Sequence, residues 1–214
     1  MLEHLPEALG HALRDRRAGL DKLVFNKCGL RAGLGTVTVT SLAFADHAPI
    51  PERYTADGEG VSPPLEWHGI PEGAASLALV VEDADAPTSD PLVHAIVVDI
   101  PPHEGSLHEG ALSSPGHDGE RVHAGRNSYL RAGWIPPDPP RGHGLHRYAF
   151  QVFALRAGAK FKGTPRRDHV LAAIQEHGIA GGLLVGTYER PDGSIKSSSA
   201  QRSLAVDNAE PSPD

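Results

Sequence analysis

Three short segments place ionisable and hydrogen-bonding side chains where apolar runs give way to loops. The first is Asp83-Ala84-Asp85-Ala86-Pro87, directly after the apolar run ending at Val81. Two carboxylates two residues apart at a strand end can share one face and act on one ligand. They can equally cap their own turn by accepting from nearby backbone N–H groups. The second is His94, inside the run Leu92 to Ile100. Side chains alternate along a strand, so His94 is expected on the face of Ile96, Val98 and Ile100. An imidazole there is either satisfied within the core or faces a pocket, because an unpaired buried polar group costs roughly 1–3 kcal/mol. The third is Gly142-His143-Gly144-Leu145-His146-Arg147-Tyr148. His146 and Tyr148, two apart, project from one face of a strand. Arg147 points to the other face, where an ion pair is expected.

The elements that must position these groups are mostly strands. Thr36 to Thr40 alternates β-branched residues, Leu77 to Val81 and Leu92 to Ile100 are short apolar runs, His146 to Leu155 is strand-like, and Gly182 to Tyr188 is a last strand. Residues 46–75 and 101–144 read as Gly- and Pro-rich loop, densest at Pro136, Pro137, Pro139 and Pro140. One helix comes late: Thr164 caps it, Pro165 takes its first position, Val170, Leu171 and Ile174 form its apolar face, and Gly178 stops it. Leu2, Leu5, Leu9 and Leu13 make a helical stripe at the N-terminus, packed on its own domain or on a second subunit. The order is not βαβα, which argues against a doubly wound parallel sheet. The chain divides into a helical extension and linker at 1–35 (the linker from Gly29 to Gly35), a mainly antiparallel β-domain at 36–188, and a polar tail at 189–214, read as disordered.

Bulk properties exclude several classes. The chain has 214 residues, with 27 acidic against 20 Lys and Arg side chains, for a net charge of −7. Nucleic-acid binding needs clustered cations and is not expected. The single cysteine, Cys28, rules out an intrachain disulfide and paired-cysteine zinc sites, and is expected outside the core. No apolar run approaches the roughly 20 residues of a membrane span, and residues 1–19 lack the apolar core of a signal peptide; the expected compartment is the cytoplasm. The 13 histidines invite a metal reading, since His143 and His146 lie three apart and His117 and His123 share one loop-rich stretch. On a strand, residues three apart fall on opposite faces, so no metal or other cofactor is expected.

Together these fragments are more specific than any one alone. The chain resembles the phosphatidylethanolamine-binding protein family, in its bacterial Raf-kinase-inhibitor-like branch. The resemblance rests on Asp83–Pro87, His94 and Gly144–Tyr148, supported by Phe44, Tyr54-Thr55, Asp57-Gly58, Ser62–Trp67, Gly125 with Asn127, Pro139-Pro140, His177, and Gly186 with Tyr188. It covers about 36 to 188 and leaves out both termini. It implies a large antiparallel sheet packed on a smaller one, and a small pocket for phosphate or a phospholipid head group. Asp83, His94, His146 and Tyr148 fall in that pocket, with Pro139 as a wall and Trp134 where the family often has a tyrosine. Three residues depart from the pattern: Ala84 replaces a proline, Ala95 a tryptophan, and Asp138 adds a negative charge at the mouth.

The chemistry of these groups agrees with such a site. Imidazolium and phenol groups donate to phosphate oxygens, and charge-assisted bonds are the stronger kind. Asp83 repels a bare phosphate, but can orient a histidine or accept from a ligand ammonium. The expected function is non-catalytic binding of a phosphoethanolamine-like head group, with regulation of a partner such as a kinase or protease implied by the resemblance. The alternative is a small hydrolase of phosphoesters using Asp/His acid–base chemistry. An amphipathic helix outside the core suggests a homodimer.

Overall fold

The computed structural model describes residues 7–30, 36–113 and 123–190. Eight strands form two antiparallel sheets. The smaller sheet has the order β1-β2-β5, from β1 (Thr38–Thr40), β2 (Leu65–His68) and β5 (Gly105–Leu107). The larger has the order β6-β4-β3-β7-β8, from β3 (Ser76–Asp83), β4 (Leu92–Ile100), β6 (His123–Ala124), β7 (His146–Leu155) and β8 (Gly178–Tyr188). Among the described residues are also three α-helices, α1 (Glu7–Ala12), α2 (Val24–Lys27) and α3 (Arg167–His177), and two single-turn 3-10 helices at Leu20–Lys22 and Glu52–Tyr54. This is the mainly β, two-sheet architecture expected from the sequence.

The central strands are apolar on both faces because both faces are covered. On β3, Leu77, Leu79 and Val81 join Val39, Leu65, Trp67, Phe150 and Val152 in the core between the sheets. Ala78 and Val80 point the other way, into a second core with Val24, Cys28, Phe153, Val170 and Ile174. The result is three layers, small sheet on large sheet on helices. Gly182 serves the close approach: a Cβ there would run into the Val37 carbonyl.

Polar groups tie the helical layer to the sheet. Glu82 is completely buried on the helix side of β3. Its Oε1 accepts from Arg167 Nε at 2.5 Å, and its Oε2 from Gln151 Nε2 at 2.8 Å and from the Val24 N–H at 2.8 Å. The carboxylate thereby caps α2. The Phe25 N–H donates to Gln151 Oε1 at 2.7 Å.

Several expectations need correction. Cys28 is buried in the helix-side core, not outside it. Within the described residues the leucine stripe contributes α1, and the chain then docks on its own domain through Ala18, Leu23 and Val24; residues 1–6 of the stripe, 31–35 of the linker, His117 and 191–214 of the tail lie outside the described residues. Two stretches read as loop contain β2, β5 and β6. The late helix starts at Arg167 with Arg166 at its N-cap, two residues after Thr164-Pro165 had suggested. The last strand begins at Gly178 instead of Gly182.

Most consequential is a bulge in β4. Val81 pairs with Ala95 but Glu82 with Val93, so His94 is an extra residue. His94 therefore leaves the face of Ile96 and Val98, which pack on the helix side, and turns to the inter-sheet side. A second bulge, at Asp99 with φ 57°, returns Ile100 to the inter-sheet core.

Two outcomes are expected. Glu82→Ala strands Arg167 and two backbone or amide donors, and should cost about 3–5 kcal/mol in urea unfolding. His123 donates from Nε2 to the Gly163 carbonyl and from Nδ1 to Asp99, each at 2.6 Å. The Gly163 carbonyl and then Asp99 raise its pKa above 6.5, against partial burial. A histidine with a raised folded pKa stabilises fully below its unfolded pKa and loses that contribution as pH rises through the folded value. The unfolding free-energy difference between wild type and His123→Ala should shrink as pH is raised above 6.5.

Candidate functional site

Three adjacent strands bring the predicted residues to one end of the large sheet. Asp83, the last residue of β3, sits opposite Tyr148 of β7. Alternation along β7 puts His146 and Tyr148 on the same face, with ring centroids 6.3 Å apart and nearly parallel. The bulge delivers His94 from β4, its ring edge-on to Tyr148 at 5.2 Å. The segment from Trp134 to Pro140 lies across this end. Its Ile135 N–H donates to the His94 carbonyl at 2.9 Å, and its Ile135 carbonyl accepts from His94 Nδ1 at 2.6 Å. Trp134 tilts over His94 at 6.0 Å and stacks on Phe150 at 6.2 Å. Pro139 is buried beside it.

Asp83 spends both oxygens inside the protein. Oδ1 accepts from the Asp85 N–H at 2.8 Å, the self-capped turn considered from sequence, and Oδ2 meets His146 Nδ1 at 2.8 Å. His146 Nε2 meets His143 Nδ1 at 2.7 Å, and His143 Nε2 faces the carbonyls of Leu13 at 2.8 Å and Arg16 at 3.2 Å. Carbonyls only accept, so His143 Nε2 carries hydrogen. The line from Asp83 to Leu13 contains three hydrogen bonds in series. Burial and then His146 push the His143 imidazole below its ordinary range.

Asp85 faces away from Asp83. Arg147 grips it with Nε and Nη2, both at 2.7 Å, and Arg17 adds Nη1 at 2.9 Å. This is the ion pair anticipated for Arg147. Burial pushes the Asp85 carboxyl up, but Arg147 and Arg17 outweigh it and hold the carboxyl below its usual range. Arg17 also donates to the Leu145 and His143 carbonyls, which pins the N-terminal segment to the loop before β7.

The remaining polar atoms form a second set. His94 Nε2, Tyr148 OH, Trp134 Nε1 and Arg190 Nη2 are buried and have no hydrogen-bond partner among the described residues. Burial pushes the His94 imidazole below 6.5, against the pull of Asp83 and the Ile135 carbonyl. Its Nδ1–H is spent on Ile135, so neutral His94 offers a lone pair at Nε2. Burial lifts the Tyr148 phenol well above 10; Asp83 and Asp138 act in the same direction and Arg190 against.

Sequence reasoning gave no role to His143 or Arg190. The rule that residues three apart on a strand diverge does not apply to His143, because β7 starts only at His146 and Gly144, at φ 95°, turns the chain between them. Arg190 falls two residues inside the segment assigned to the tail, yet is 3% exposed. Its Nε grips Asp57 at 2.8 Å, and its Nη1 donates to Asp138 at 2.7 Å and to the Pro139 carbonyl at 3.1 Å. Tyr188 OH donates to the same Asp57 at 2.6 Å. The available signal was the spacing of Tyr188 and Arg190, two apart at the end of a strand. The negative charge noted at Asp138 is thus neutralised by Arg190.

A two-sheet fold with an Asp/His/Tyr cluster at one sheet end, walled by prolines, defines a class. The profile of the phosphatidylethanolamine-binding protein family matches residues 40–189, and the chain belongs to that family. A UPF0098 protein of Pyrococcus abyssi is 38% identical over 175 residues, covering 78% of this chain and 96% of that protein. The crystal structure of a phosphatidylethanolamine-binding protein homologue from Chlamydia trachomatis matches with TM-score 0.65 and 34% identity, over 73% of this chain and 99% of that one. Escherichia coli YbcL, described as a new member of the mammalian family, matches with TM-score 0.67 and 29% identity, over 73% of this chain and 99% of that one. No helix among the described residues is long and apolar enough to cross a membrane.

His143 is the testable link between the N-terminal segment and the cluster. His143→Ala leaves His146 Nε2 and the Leu13 carbonyl without their partner, and should cost about 1–3 kcal/mol. Tryptic cleavage after Arg16 should accelerate. His143→Gln, which offers an acceptor and a donor on one side chain, should restore most of the resistance.

Proposed function

We propose that the protein is a non-catalytic binder of a phosphate-bearing head group of the phosphoethanolamine kind, held among His94, Tyr148, Trp134 and Arg190. The observation that carries this reading is that four of the five buried side-chain polar atoms without a partner among the described residues belong to these residues, the fifth being His177 Nδ1 at the end of α3. Each costs roughly 1–3 kcal/mol if it stays unpaired. A phosphomonoester monoanion suits their chemistry. Its P–OH donates to His94 Nε2, while its other oxygens accept from Tyr148 OH, Trp134 Nε1–H and the spare Arg190 N–H. In this reading Asp83 and His146 position the wall behind Tyr148, and Pro139 keeps the site dry.

Binding is favoured over phosphoester hydrolysis by how the acid–base groups are used. Both Asp83 oxygens and both His146 nitrogens are occupied within the protein, so neither is free to activate water. The single thiol of Cys28, buried and reduced, suits the cytoplasm, the compartment we propose. Regulation of a kinase or protease partner belongs to the same proposal and rests on the family alone.

The contact between His94 and the phosphate needs one proton, supplied by the ligand or by the imidazole. Phosphomonoesters lose theirs near pH ~6, and burial makes His94 reluctant to hold one above 6.5. Calorimetric titration with phosphoethanolamine should therefore show affinity falling as pH rises, approaching roughly tenfold per unit above neutrality. Equal affinity at acidic and alkaline pH would falsify the assignment. Tyr148→Phe should weaken binding roughly tenfold or more without lowering the melting temperature, since the phenol has no partner among the described residues.

A further inference from the structure

Residues 127–131 form a turn built around Asn127. The Asn127 N–H donates to the Arg131 carbonyl at 2.8 Å, and the Leu130 N–H to the Asn127 carbonyl at 3.0 Å. Asn127 Oδ1 accepts from the N–H groups of Tyr129 and Arg131 at 3.0 and 3.1 Å, and its Nδ2 donates to the Gly133 carbonyl at 3.0 Å. These bonds hold Leu130 at φ 61°, in the left-handed region that glycine or asparagine normally takes. The Leu130 side chain is nevertheless 68% exposed. It neither relieves the backbone nor fills the core, and glycine would serve the fold better. A strained position that the fold does not need points to a use outside the fold.

The surroundings say what that use is. Tyr129 stands next to Leu130 at 39% exposure. Arg126 and Arg131 flank the pair, exposed and without an ion pair among the described residues. Of the acidic groups nearby, Asp168 lies 4.0 Å from Arg166, Asp138 is bound to Arg190, and Asp90 accepts from Ser89. One side of the turn borders a cavity of about 290 Å³ that Tyr129 and Arg131 share with Trp134, Ile135 and Asp138, the cover of the site. An apolar tip with an aromatic neighbour and flanking arginines is matched to the boundary of an anionic bilayer. Leucine enters the acyl region, tyrosine sits at head-group depth, and arginines meet lipid phosphates.

We propose that Leu130 and Tyr129 insert into the surface of an anionic phospholipid bilayer while Arg126 and Arg131 hold its phosphates, so that the site takes its head group from a membrane. This rests on the head-group reading of the site. The chain as a whole carries a net charge of −7 and is repelled by such a surface, so attachment depends on this local patch.

The test is co-sedimentation of the full chain with phosphatidylcholine vesicles, with and without phosphatidylglycerol. Wild type should partition onto the anionic vesicles, and more weakly as salt is raised. Leu130→Gly takes φ 61° without strain, so it should fold at least as well as wild type, yet lose roughly tenfold in partition. Arg126→Gln and Arg131→Gln should each lose about fivefold on the anionic vesicles and nothing on neutral ones. Failure of wild type to partition, or a Leu130→Gly variant that partitions as wild type does, overturns the proposal. Soluble phosphoethanolamine separates it from the reading beneath it. If wild type and Leu130→Gly both bind that ligand but partition equally, docking fails alone. If neither binds it while only wild type partitions, the head-group reading fails and the docking turn stands.

Discussion

Two consecutive buried carboxylates at the end of the central strand organise this molecule. Glu82 and Asp83 point to opposite faces of β3, as strand geometry requires. Glu82 gathers Arg167, Gln151 and the start of α2, and so fastens the helical layer to the sheet. Asp83 gathers the Asp85 N–H and His146, and so sets the end of the sheet where the polar cluster forms. Burying either charge is costly unless every oxygen is met. Glu82 is met wholly by groups from distant parts of the chain, and Asp83 by its own turn and by His146 from a distant strand. The same requirement therefore fixes the helix layer, the site and the N-terminal segment in one arrangement.

The N-terminal segment is part of that arrangement. Arg17 reaches Asp85 and the loop carbonyls before β7, and the carbonyls of Leu13 and Arg16 complete the line from Asp83 through both histidines. The cluster divides into two halves by how its polar atoms are used. Asp83, His146 and His143 look inward and are fully engaged. His94, Tyr148, Trp134 and Arg190 each keep a buried polar atom without a partner among the described residues.

Much of the fold was legible because it depends on local pattern. The long apolar runs of β3, β4 and β7 have both faces covered, and the spacing of His146 and Tyr148 put them on one face. The short strands β2, β5 and β6 carry too few residues for a periodic signal and are defined by their partners. Alternation alone places His94 on the helix-side face, but it assumes an unbroken ladder. The bulge opposite Val81 is a property of two strands in register, which neither strand's sequence expresses alone.

Motifs and periodicity are local, so the family, the two-sheet β class and the residue types of the candidate site can be read along the chain. Which polar atoms are spent, and which stay without a partner among the described residues, depends on the folded arrangement. His143 joined His146 because Gly144 turns the chain ahead of β7. Arg190 became a buried cation because Asp57, Asp138 and the Pro139 carbonyl converge on it from separate loops. Hydrogen-bond satisfaction is counted in three dimensions: a donor's role is settled by whichever acceptor the folded chain brings within about 3 Å of it.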